Sequence, residues 1–249
     1  MSQVDADLEL AARLAEQAGL LLLSLRDSGL LDGKALGKAG DQVANAFLCA
    51  ALAKHRPDDC LLSEERADDA ARLGCRRVWI VDPLDGTREY GEGRSDWAVH
   101  VALAEDGVAA AGAVALPALG ITLTGAAALP AVSAGSPRMV VSRTRPAVEA
   151  MLVAERIGAE LLPMGSAGAK AMAVVRGEAD IYLHSGGQYE WDSCAPAAVA
   201  AAAGLHVSRI DGSPLRYNRE DAWLPDLLIC RKELAGAVLQ SLGRETAAS

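Results

Sequence analysis

Residues 78–87 of this chain have the sequence VWIVDPLDGT. The first four residues are apolar, which is typical of a short buried strand, and Pro83 is expected to stop that strand. Two carboxylates follow three positions apart. At the end of the strand, Asp82 and Asp85 can turn towards one point with the carbonyl of Leu84 between them. Three oxygens placed in this way suit a hard cation such as Mg²⁺.

The residues after the second carboxylate favour an anion site. Gly86 and Thr87 are expected to open a helix whose free N–H groups face a bound anion. A cation and a phosphate cradle side by side are what phosphoryl chemistry requires. The alternative is that Asp82 and Asp85 are ordinary turn and cap residues, where aspartate is common.

Two other acidic segments favour the cation site over the turn. Glu64 and Glu65 follow a short apolar run upstream of the same strand. Asp192 lies at the start of a very apolar, Ala-rich helix, where an unpaired carboxylate is costly unless it caps the helix or binds a cation.

The composition is that of a folded, acidic, globular protein. Of its 249 residues, 51% are hydrophobic and 23% charged, which excludes a disordered, collagen-like or small disulfide-rich chain. The 24 Lys and Arg and the 33 Asp and Glu give a net charge of −9. Because nucleic acids and anionic membranes bind basic surfaces, we expect neither as a partner. A small anionic substrate stays open, since a local cation can bind it.

The sequence predicts neither a targeting signal nor a membrane span. Its N-terminus is acidic at Asp5 and Asp7 and lacks the basic region of a signal peptide. Residues 107–137 are uncharged, but they are rich in Ala and Gly and interrupted by Pro117 and Pro130. We interpret this stretch as buried strands with turns, and we expect a cytoplasmic protein.

The cysteines predict no covalent framework. They number five and include no Cys-x-x-Cys pair, so we expect buried or idle thiols in a reducing cytosol. Cys194 lies close to Asp192, but no arginine-rich phosphate loop follows it. We therefore interpret Cys194 as a small helix-packing residue and not as a nucleophile.

The apolar periodicity predicts an α/β fold in two halves. The first half is expected to contain helices over 8–26 and 41–54 and strands over 97–104, 108–116 and 121–124. Strands then alternate with helices, with strands over 138–142, 160–163 and 179–183 and helices over 147–157, 167–176 and 193–203. We place the boundary in the looser stretch 126–137. This gives an N-terminal α+β half, 1–135, with most candidate ligands, and a C-terminal α/β half, 136–249, with Asp192.

Three segments together resemble the signatures of the inositol-monophosphatase superfamily. They are LSEE at 62–65, WIVDPLDGT at 79–87 and EWDSCAP at 190–196. The resemblance implies a Mg²⁺-dependent, lithium-sensitive phosphatase with an alternating αβαβα sandwich fold. It extends from about residue 8 to about residue 230.

Within the superfamily, three further segments resemble the 3′(2′),5′-bisphosphate nucleotidase branch. They are DGTREY at 85–90, DGSPLRYN at 211–218, and Gly165-Ser166 followed by Lys170. The resemblance implies hydrolysis of the 3′-phosphate of adenosine 3′,5′-bisphosphate to AMP and phosphate by two-metal activation of water. Inositol monophosphate, fructose bisphosphate or a pathway-specific nucleotide are alternative substrates. A non-catalytic nucleotide- or metal-binding sensor is an alternative of another class.

The resemblance also implies roles for individual residues. Glu64, Asp82 and the Leu84 carbonyl match the ligands of one Mg²⁺, and Asp82, Asp85 and Asp192 match those of a second. Two or three Mg²⁺ per active site are implied. The implied catalytic set, which orients and activates the attacking water, is Asp41, Glu64 and Thr87.

The segment before Asp41 departs from the family pattern. The family usually has a Val-Thr pair there, whereas residues 37–40 of this chain are GKAG. This departure is the one feature that favours the non-catalytic alternative. It also puts a third metal site in question.

The implied substrate contacts are Gly86, Thr87, Ser166, Lys170 and His184. Lys170 has the alternative interpretation of a solvated helix residue, and His184 that of a structural histidine. Two arginines after a predicted strand, Arg143 and Arg145, could also reach an anionic substrate. Family habit suggests a possible homodimer.

Overall fold

The computed structural model describes residues 2–125 and 135–243. Its helices are α1 Gln3–Asp27, α2 Gly33–His55, α3 Thr87–Gly91, α4 Val148–Ile157, α5 Ala167–Val175, α6 Glu190–Ala202 and α7 Lys232–Ser241. Its strands are β1 Cys60–Ser63, β2 Arg77–Asp85, β3 Ala98–Glu105, β4 Val108–Leu116, β5 Ile121–Leu123, β6 Arg138–Ser142, β7 Glu160–Met164, β8 Ile181–Tyr189, β9 His206–Ser208 and β10 Trp223–Cys230.

The strands form two five-stranded mixed sheets. The first has the order β1-β2-β3-β4-β5, with β1 parallel to β2 and the other neighbours antiparallel. The second has the order β7-β6-β8-β10-β9, with β6 parallel to both of its neighbours. Helices α1 and α2 cover the outer face of the first sheet, α5 and α6 lie between the sheets, and α4 and α7 cover the second sheet. This alternation confirms the predicted αβαβα sandwich.

Small side chains allow the middle helix layer to pack closely on the first sheet. A Cβ built on Gly112 of β4 would lie 2.7 Å from the Cβ of Ala198 and 3.0 Å from the carbonyl oxygen of Ala195, both on α6. Any larger residue at 112 would therefore push α6 away from the sheet. This close approach explains how a chain with 4% aromatic residues fills its core.

Two predicted element boundaries are wrong in ways that matter for the site. The second helix begins at Gly33 and not at residue 41, because the glycines before Asp41 sit inside the helix. The strand predicted to stop at Pro83 continues to Asp85. A proline is tolerated there because the pairing of β2 with β3 is irregular between Asp82 and Asp85.

The expectation of free thiols is wrong for two of the cysteines. Cys60 at the start of β1 and Cys75 are joined by a disulfide with Cα atoms 6.3 Å apart. Sequence spacing alone could not pair them, because the intervening turn brings them together only in the fold. Cys194 and Cys230 are buried thiols, as expected, and Cys49 is a half-buried thiol.

The uncharged stretch 107–137 forms strands β4 and β5 in its described part. Residues 126–134, where we expect the boundary between the halves, lie outside the described residues, so the division at 135 stays a prediction. Within the described ranges, none of the helices combines the length and the apolar character that crossing a bilayer requires.

Candidate active site

An irregularity in β2 turns two carboxylates to the same side of the sheet. Asp82 pairs with His100 of β3 and Asp85 pairs with Ala98, so three steps on β2 match two on β3. On a regular strand, residues three apart point to opposite faces. The extra residue removes that alternation, which is why the Asp-x-x-Asp spacing brings both side chains together.

A third carboxylate reaches the same point from the other half of the chain. Carboxylate oxygens of Asp82, Asp85 and Asp192 all lie within 4.8 Å of one another. Asp192 sits in the first turn of α6, where one of its oxygens accepts a hydrogen bond from the Tyr189 amide at 2.7 Å. The first turn of a helix is a favourable place for a negative charge.

Glu64 enters from the neighbouring strand. It follows β1, whose Ser63 pairs with Val81 in parallel register, so Glu64 comes level with Asp82. Its side chain reaches solvent, yet the protein around the carboxyl group and the charge of Asp192 raise its pKa to about 7. The four candidate acidic ligands are therefore brought together from three separate segments.

The electrostatics of Asp82 are those of a crowded acid. The side chain is 1% exposed, and one oxygen accepts a hydrogen bond from the Leu84 amide at 3.0 Å. Burial raises the pKa of Asp82 well above its ordinary value, and the charges of Glu64 and Asp85 raise it further. Burial and the neighbouring Asp85 likewise raise the pKa of Asp192 to about 6.

Asp85 differs from its neighbours because it is surrounded by donors. Its oxygens accept hydrogen bonds from the amides of Ala167 at 3.1 Å and Gly168 at 2.6 Å and from the Ser166 hydroxyl. The ring of His100 lies 3.2 Å from the same carboxylate. Burial alone would raise the pKa of Asp85, but His100 and Ser166 outweigh it and lower the pKa to about 2.

Sequence analysis did not single out His100. It lies fully buried in β3, between apolar neighbours. A histidine in the middle of an otherwise apolar strand is the signal that could have found it, because a buried imidazole needs a partner.

The candidate water-activating pair is also in place. The Thr87 hydroxyl lies 3.3 Å from an Asp41 carboxylate oxygen and 3.1 Å from the Leu84 carbonyl oxygen. Asp41 is 8% exposed. Burial, followed by the charge of Glu65, raises its pKa to about 7.

The two glycines before Asp41, Gly37 and Gly40, allow α2 to pack closely enough for Asp41 to reach Thr87. A Cβ on Gly37 would lie 2.7 Å from the Thr87 methyl group, and one on Gly40 would lie 3.0 Å from side-chain atoms of Leu84. The GKAG segment is therefore a stretch of α2 that packs directly on the turn carrying Thr87. The departure from the family pattern leaves Asp41 within reach of Thr87.

Gly86 is required by the turn between β2 and α3. Its φ is +89°, and a Cβ there would lie 3.1 Å from the Cβ of Ser166 and 3.2 Å from that of Trp97. The backbone at Gly86, between Asp85 and Thr87, therefore packs against Ser166 of the other half of the chain and against Trp97 of its own half. Thr87 then begins the short helix α3, as the sequence predicted.

Lys170 is buried beside the site and is not a solvated helix residue. It is 6% exposed, and its ammonium group donates to the Ser166 carbonyl at 2.5 Å and lies 5.3 Å from the centre of the Tyr182 ring. Burial lowers its pKa, and the charge of Asp85 acts in the opposite direction. Lys170, a residue of α5, therefore brings positive charge close to the acidic side chains.

The remaining predicted contacts divide into two groups. Arg143 pairs with Glu89 at 2.9 Å and with Glu92 at 3.1 Å. These ion pairs link the two halves of the chain. His184 is half-buried, with its ring nitrogen 3.2 Å from the Gly187 carbonyl. Burial lowers the pKa of His184, and the positive charges of Lys170 and Arg145 lower it further.

The arrangement is suited to holding a divalent cation. Its donor set consists of carboxylate oxygens and a nearby carbonyl, the groups that hard cations prefer. Among the ion pairs of the described ranges, none gives Glu64, Asp82 or Asp192 a Lys or Arg partner. Crowded buried carboxylates repel one another, so a cation among them would remove an otherwise unfavourable interaction.

Comparisons with known proteins agree with this geometry. The sequence matches the inositol monophosphatase family over residues 5–160 and 156–246. It is 50% identical to a 3′-phosphoadenosine 5′-phosphate phosphatase of Mycobacterium leprae, over 94% of this chain and 92% of that protein. It is 30% identical to the 3′(2′),5′-bisphosphate nucleotidase CysQ of Escherichia coli K12, over 75% of this chain and 81% of that protein.

Solved structures give the same answer for the fold. CysQ from Bacteroides thetaiotaomicron, described as a bacterial member of the inositol monophosphatase family, has a TM-score of 0.79 and 26% identity, covering 91% of this chain and 97% of that one. An inositol monophosphatase from Anabaena has a TM-score of 0.77 at 22% identity. The resemblance predicted from the three sequence motifs is confirmed, and the chain belongs to the inositol monophosphatase family.

Proposed function

We propose that this protein is a Mg²⁺-dependent phosphatase that converts adenosine 3′,5′-bisphosphate to AMP and phosphate. The observation that carries the proposal is the convergence of Asp82, Asp85 and Asp192 within 4.8 Å, with Glu64 beside them. The identity of 50% to a 3′-phosphoadenosine 5′-phosphate phosphatase supports the choice of substrate.

The carboxylates are proposed to hold two Mg²⁺ ions, with Asp82 shared. Glu64, Asp82 and the Leu84 carbonyl would bind one, and Asp82, Asp85 and Asp192 the other. Bound there, the cations supply positive charge to the entering and leaving oxygens of the phosphate. A third cation per site, which the family resemblance also allows, stays a prediction of the sequence.

Asp41 and Thr87 are proposed to prepare the water that attacks phosphorus. The Thr87 oxygen can accept a hydrogen bond from that water, since its own proton points to Asp41 or to the Leu84 carbonyl. With a pKa of about 7, Asp41 can take up the water proton on its carboxylate near neutral pH. As the new P–O bond forms, the bond from phosphorus to the 3′ oxygen breaks, and that oxygen leaves with the electron pair and takes a proton from solvent water to become the 3′ hydroxyl of AMP.

Backbone amides and nearby cations are proposed to bind the rest of the substrate. The amides of Gly86 and Thr87 would contact the phosphate that is removed, at no cost in reorganisation. Lys170 and Arg145 would supply positive charge for the second phosphate, and the neutral ring of His184 would offer it a hydrogen bond. Ser166 would act at the same place, at the start of α5.

A comparison of phosphate esters tests this proposal. Adenosine 3′,5′-bisphosphate, inositol 1-phosphate and fructose 1,6-bisphosphate are supplied to the protein with Mg²⁺ or with a chelator. We expect Mg²⁺-dependent release from the adenosine compound, with a kcat/KM at least about tenfold above the others, which is ~1.4 kcal/mol of transition-state binding. A tenfold preference for inositol phosphate would overturn the nucleotide assignment, and equal rates with the chelator would overturn the mechanism.

The cytoplasmic location and the homodimer stay predictions of the sequence. A size-exclusion and light-scattering measurement on the purified protein tests the dimer.

A further inference from the structure

A fully buried histidine joins the two segments that carry candidate ligands. The ring of His100 places Nδ1 3.0 Å from the carbonyl oxygen of Trp191 and Nε2 3.2 Å from a carboxylate oxygen of Asp85. Trp191 is the residue immediately before Asp192. One imidazole therefore spans the distance between the end of β2 and the start of α6.

The two contacts of this ring differ in kind. The contact with the Trp191 carbonyl is a hydrogen bond. Nε2 faces an Asp85 oxygen at 3.2 Å as an ion-pair contact and not as an aligned hydrogen bond, and within residues 2–125 and 135–243 it has no other partner for a hydrogen bond. Because burying a polar ring is costly unless it meets polar partners, packing alone does not account for a histidine here.

The neighbouring helix is shaped to leave room for the ring. A Cβ built on Gly168 of α5 would lie 2.0 Å from Nε2 of His100. The amide of the same glycine donates to Asp85 at 2.6 Å. Asp85 thus lies between a backbone donor and an imidazole, and the missing side chain at 168 is what permits both.

We infer that His100 is a positioning residue that fixes Asp85 relative to Asp192 and so sets the spacing of the cation site. The inference rests on the proposed function, in that the carboxylates are taken to hold Mg²⁺. The Ser166, Gly168 and His100 contacts all meet one oxygen of Asp85, and the other oxygen accepts a hydrogen bond from the Ala167 amide at 3.1 Å. The ring thus helps to fix the orientation of the carboxylate as a whole. Partners of metal ligands commonly contribute about 10–100-fold to metal affinity.

The experiment compares wild type with His100→Ala, His100→Asn and Gly168→Ala. Mg²⁺ binding is measured by calorimetry on the substrate-free protein, with thermal unfolding in chelator as the control for structure. In steady-state assays, kcat and the Mg²⁺ concentration for half-maximal rate are recorded separately. We expect His100→Ala and Gly168→Ala each to weaken Mg²⁺ binding about tenfold or more, and His100→Asn, which keeps a polar group, to recover part of the loss.

The double variant His100→Ala/Gly168→Ala gives the sharpest outcome. If Gly168→Ala acts by displacing the ring, the added methyl does no further harm once the ring is gone. We therefore expect the double variant to bind Mg²⁺ as His100→Ala does, and losses that multiply would overturn the inference. Lower unfolding temperatures with unchanged Mg²⁺ affinity would also overturn it, because they describe a purely structural histidine.

The same data separate this inference from the proposed function. A wild-type protein that binds no Mg²⁺ overturns the proposed function itself. A wild-type protein that binds Mg²⁺, with variants that bind it equally well, overturns only the role of His100. Should His100→Ala fail to fold, Gly168→Ala and His100→Asn decide the question.

Discussion

Two buried acidic groups in this molecule have opposite surroundings. Asp180, before β8, is 2% exposed and accepts hydrogen bonds from Arg138 and Arg231, including one from the Arg231 side chain at 3.0 Å. Burial acts to raise its pKa, but these two arginines outweigh it and hold the pKa below the ordinary value. Asp82 is buried as deeply among other acids, and its pKa is raised well above the ordinary value.

The difference separates a structural acid from a functional one. Around Asp180, positive charge is built into the fold, so the folded state gains from the ionised carboxylate. Around Asp82, the fold supplies acids and one backbone amide, so the ionised state needs a charge from outside the chain. Strongly perturbed acids in such surroundings are typical of functional sites.

The largest expected effect comes from removing the shared acid. We expect Asp82→Asn to lower the hydrolysis rate on the order of a thousandfold, since several kcal/mol of transition-state stabilisation by cations depend on it. The metal-free fold disfavours the ionised form of Asp82, so replacing this acid by a neutral amide should raise the unfolding temperature in chelator by a few degrees. A metal-free Asp82→Asn protein that is less stable than wild type contradicts the view that Asp82, unlike Asp180, lacks a compensating positive charge in the fold.

Removing the charge of Asp180, which two arginines neutralise, should lower stability and leave the hydrolysis rate unchanged. We expect Asp180→Asn to cost about 3 kcal/mol of unfolding free energy, because it removes the buried negative charge that pairs with the side chains of Arg138 and Arg231. The hydrolysis rate of the folded variant should stay that of wild type. Denaturant unfolding measures the loss, and Asp226→Asn, at the less buried pair with Arg209, is the control with a smaller expected loss.

Substitutions of Thr87 test the proposed role of its hydroxyl in orienting the attacking water beside the acidic side chains. We expect Thr87→Val, which keeps the shape of the side chain, to lower kcat about a hundredfold through loss of water orientation. Thr87→Ser should keep most of the rate. Mg²⁺ affinity and unfolding temperature should not move in either variant, and a Thr87→Val enzyme with normal kcat excludes the proposed role.

The smallest expected effect is a dependence of metal-free stability on pH. Glu64 and Asp41 have pKa values of about 7 in the folded protein, and Asp192 has one of about 6, all above their ordinary values. The folded chain then binds protons that the unfolded chain releases. The stability that these three acids contribute through their raised pKa values is fully present below about pH 4 and is lost as pH rises through 6 to 7.

In chelator, we therefore expect the unfolding temperature to fall by a few degrees between pH 5 and pH 8. Saturating Mg²⁺ should remove or reverse that fall, because it stabilises the ionised carboxylates. Asp180 acts in the other direction and only at low pH, where its stabilisation is lost as pH falls through its lowered pKa. An unfolding temperature that rises with pH in chelator contradicts the assignment of raised pKa values.

The sequence was most informative where local chemistry and periodicity agree. The apolar periods of α1 and β3 and the Asp-x-x-Asp turn predicted both the layers and the converging ligands. The continuation of β2 past Pro83 could not be predicted, because it depends on the irregular pairing with β3. That irregularity is a property of two strands together.

The neighbours of the ligands were harder to foresee than the ligands. His100 lies 91 residues from the carbonyl it binds, so no local pattern connects them. The disulfide of Cys60 and Cys75 likewise depends on a turn between them. The charge of Arg143 is visible in the sequence, whereas its partners Glu89 and Glu92 are revealed only by the fold, and its contact with substrate stays a prediction.

The hydrogen bonds from the start of α5 to Asp85 have one more consequence. Asp85 belongs to the first sheet, and the amides of Ala167 and Gly168 belong to α5 in the other half, so this carboxylate is, with the Arg143 pairs, one of the contacts that join the two halves. Any hinge motion that parted the sheets would have to break these bonds and pull a ligand out of line. Under the proposed function, a motion that loosens α5 from the first sheet would also disturb the cation site, and amide hydrogen exchange at 167 and 168 reports that motion.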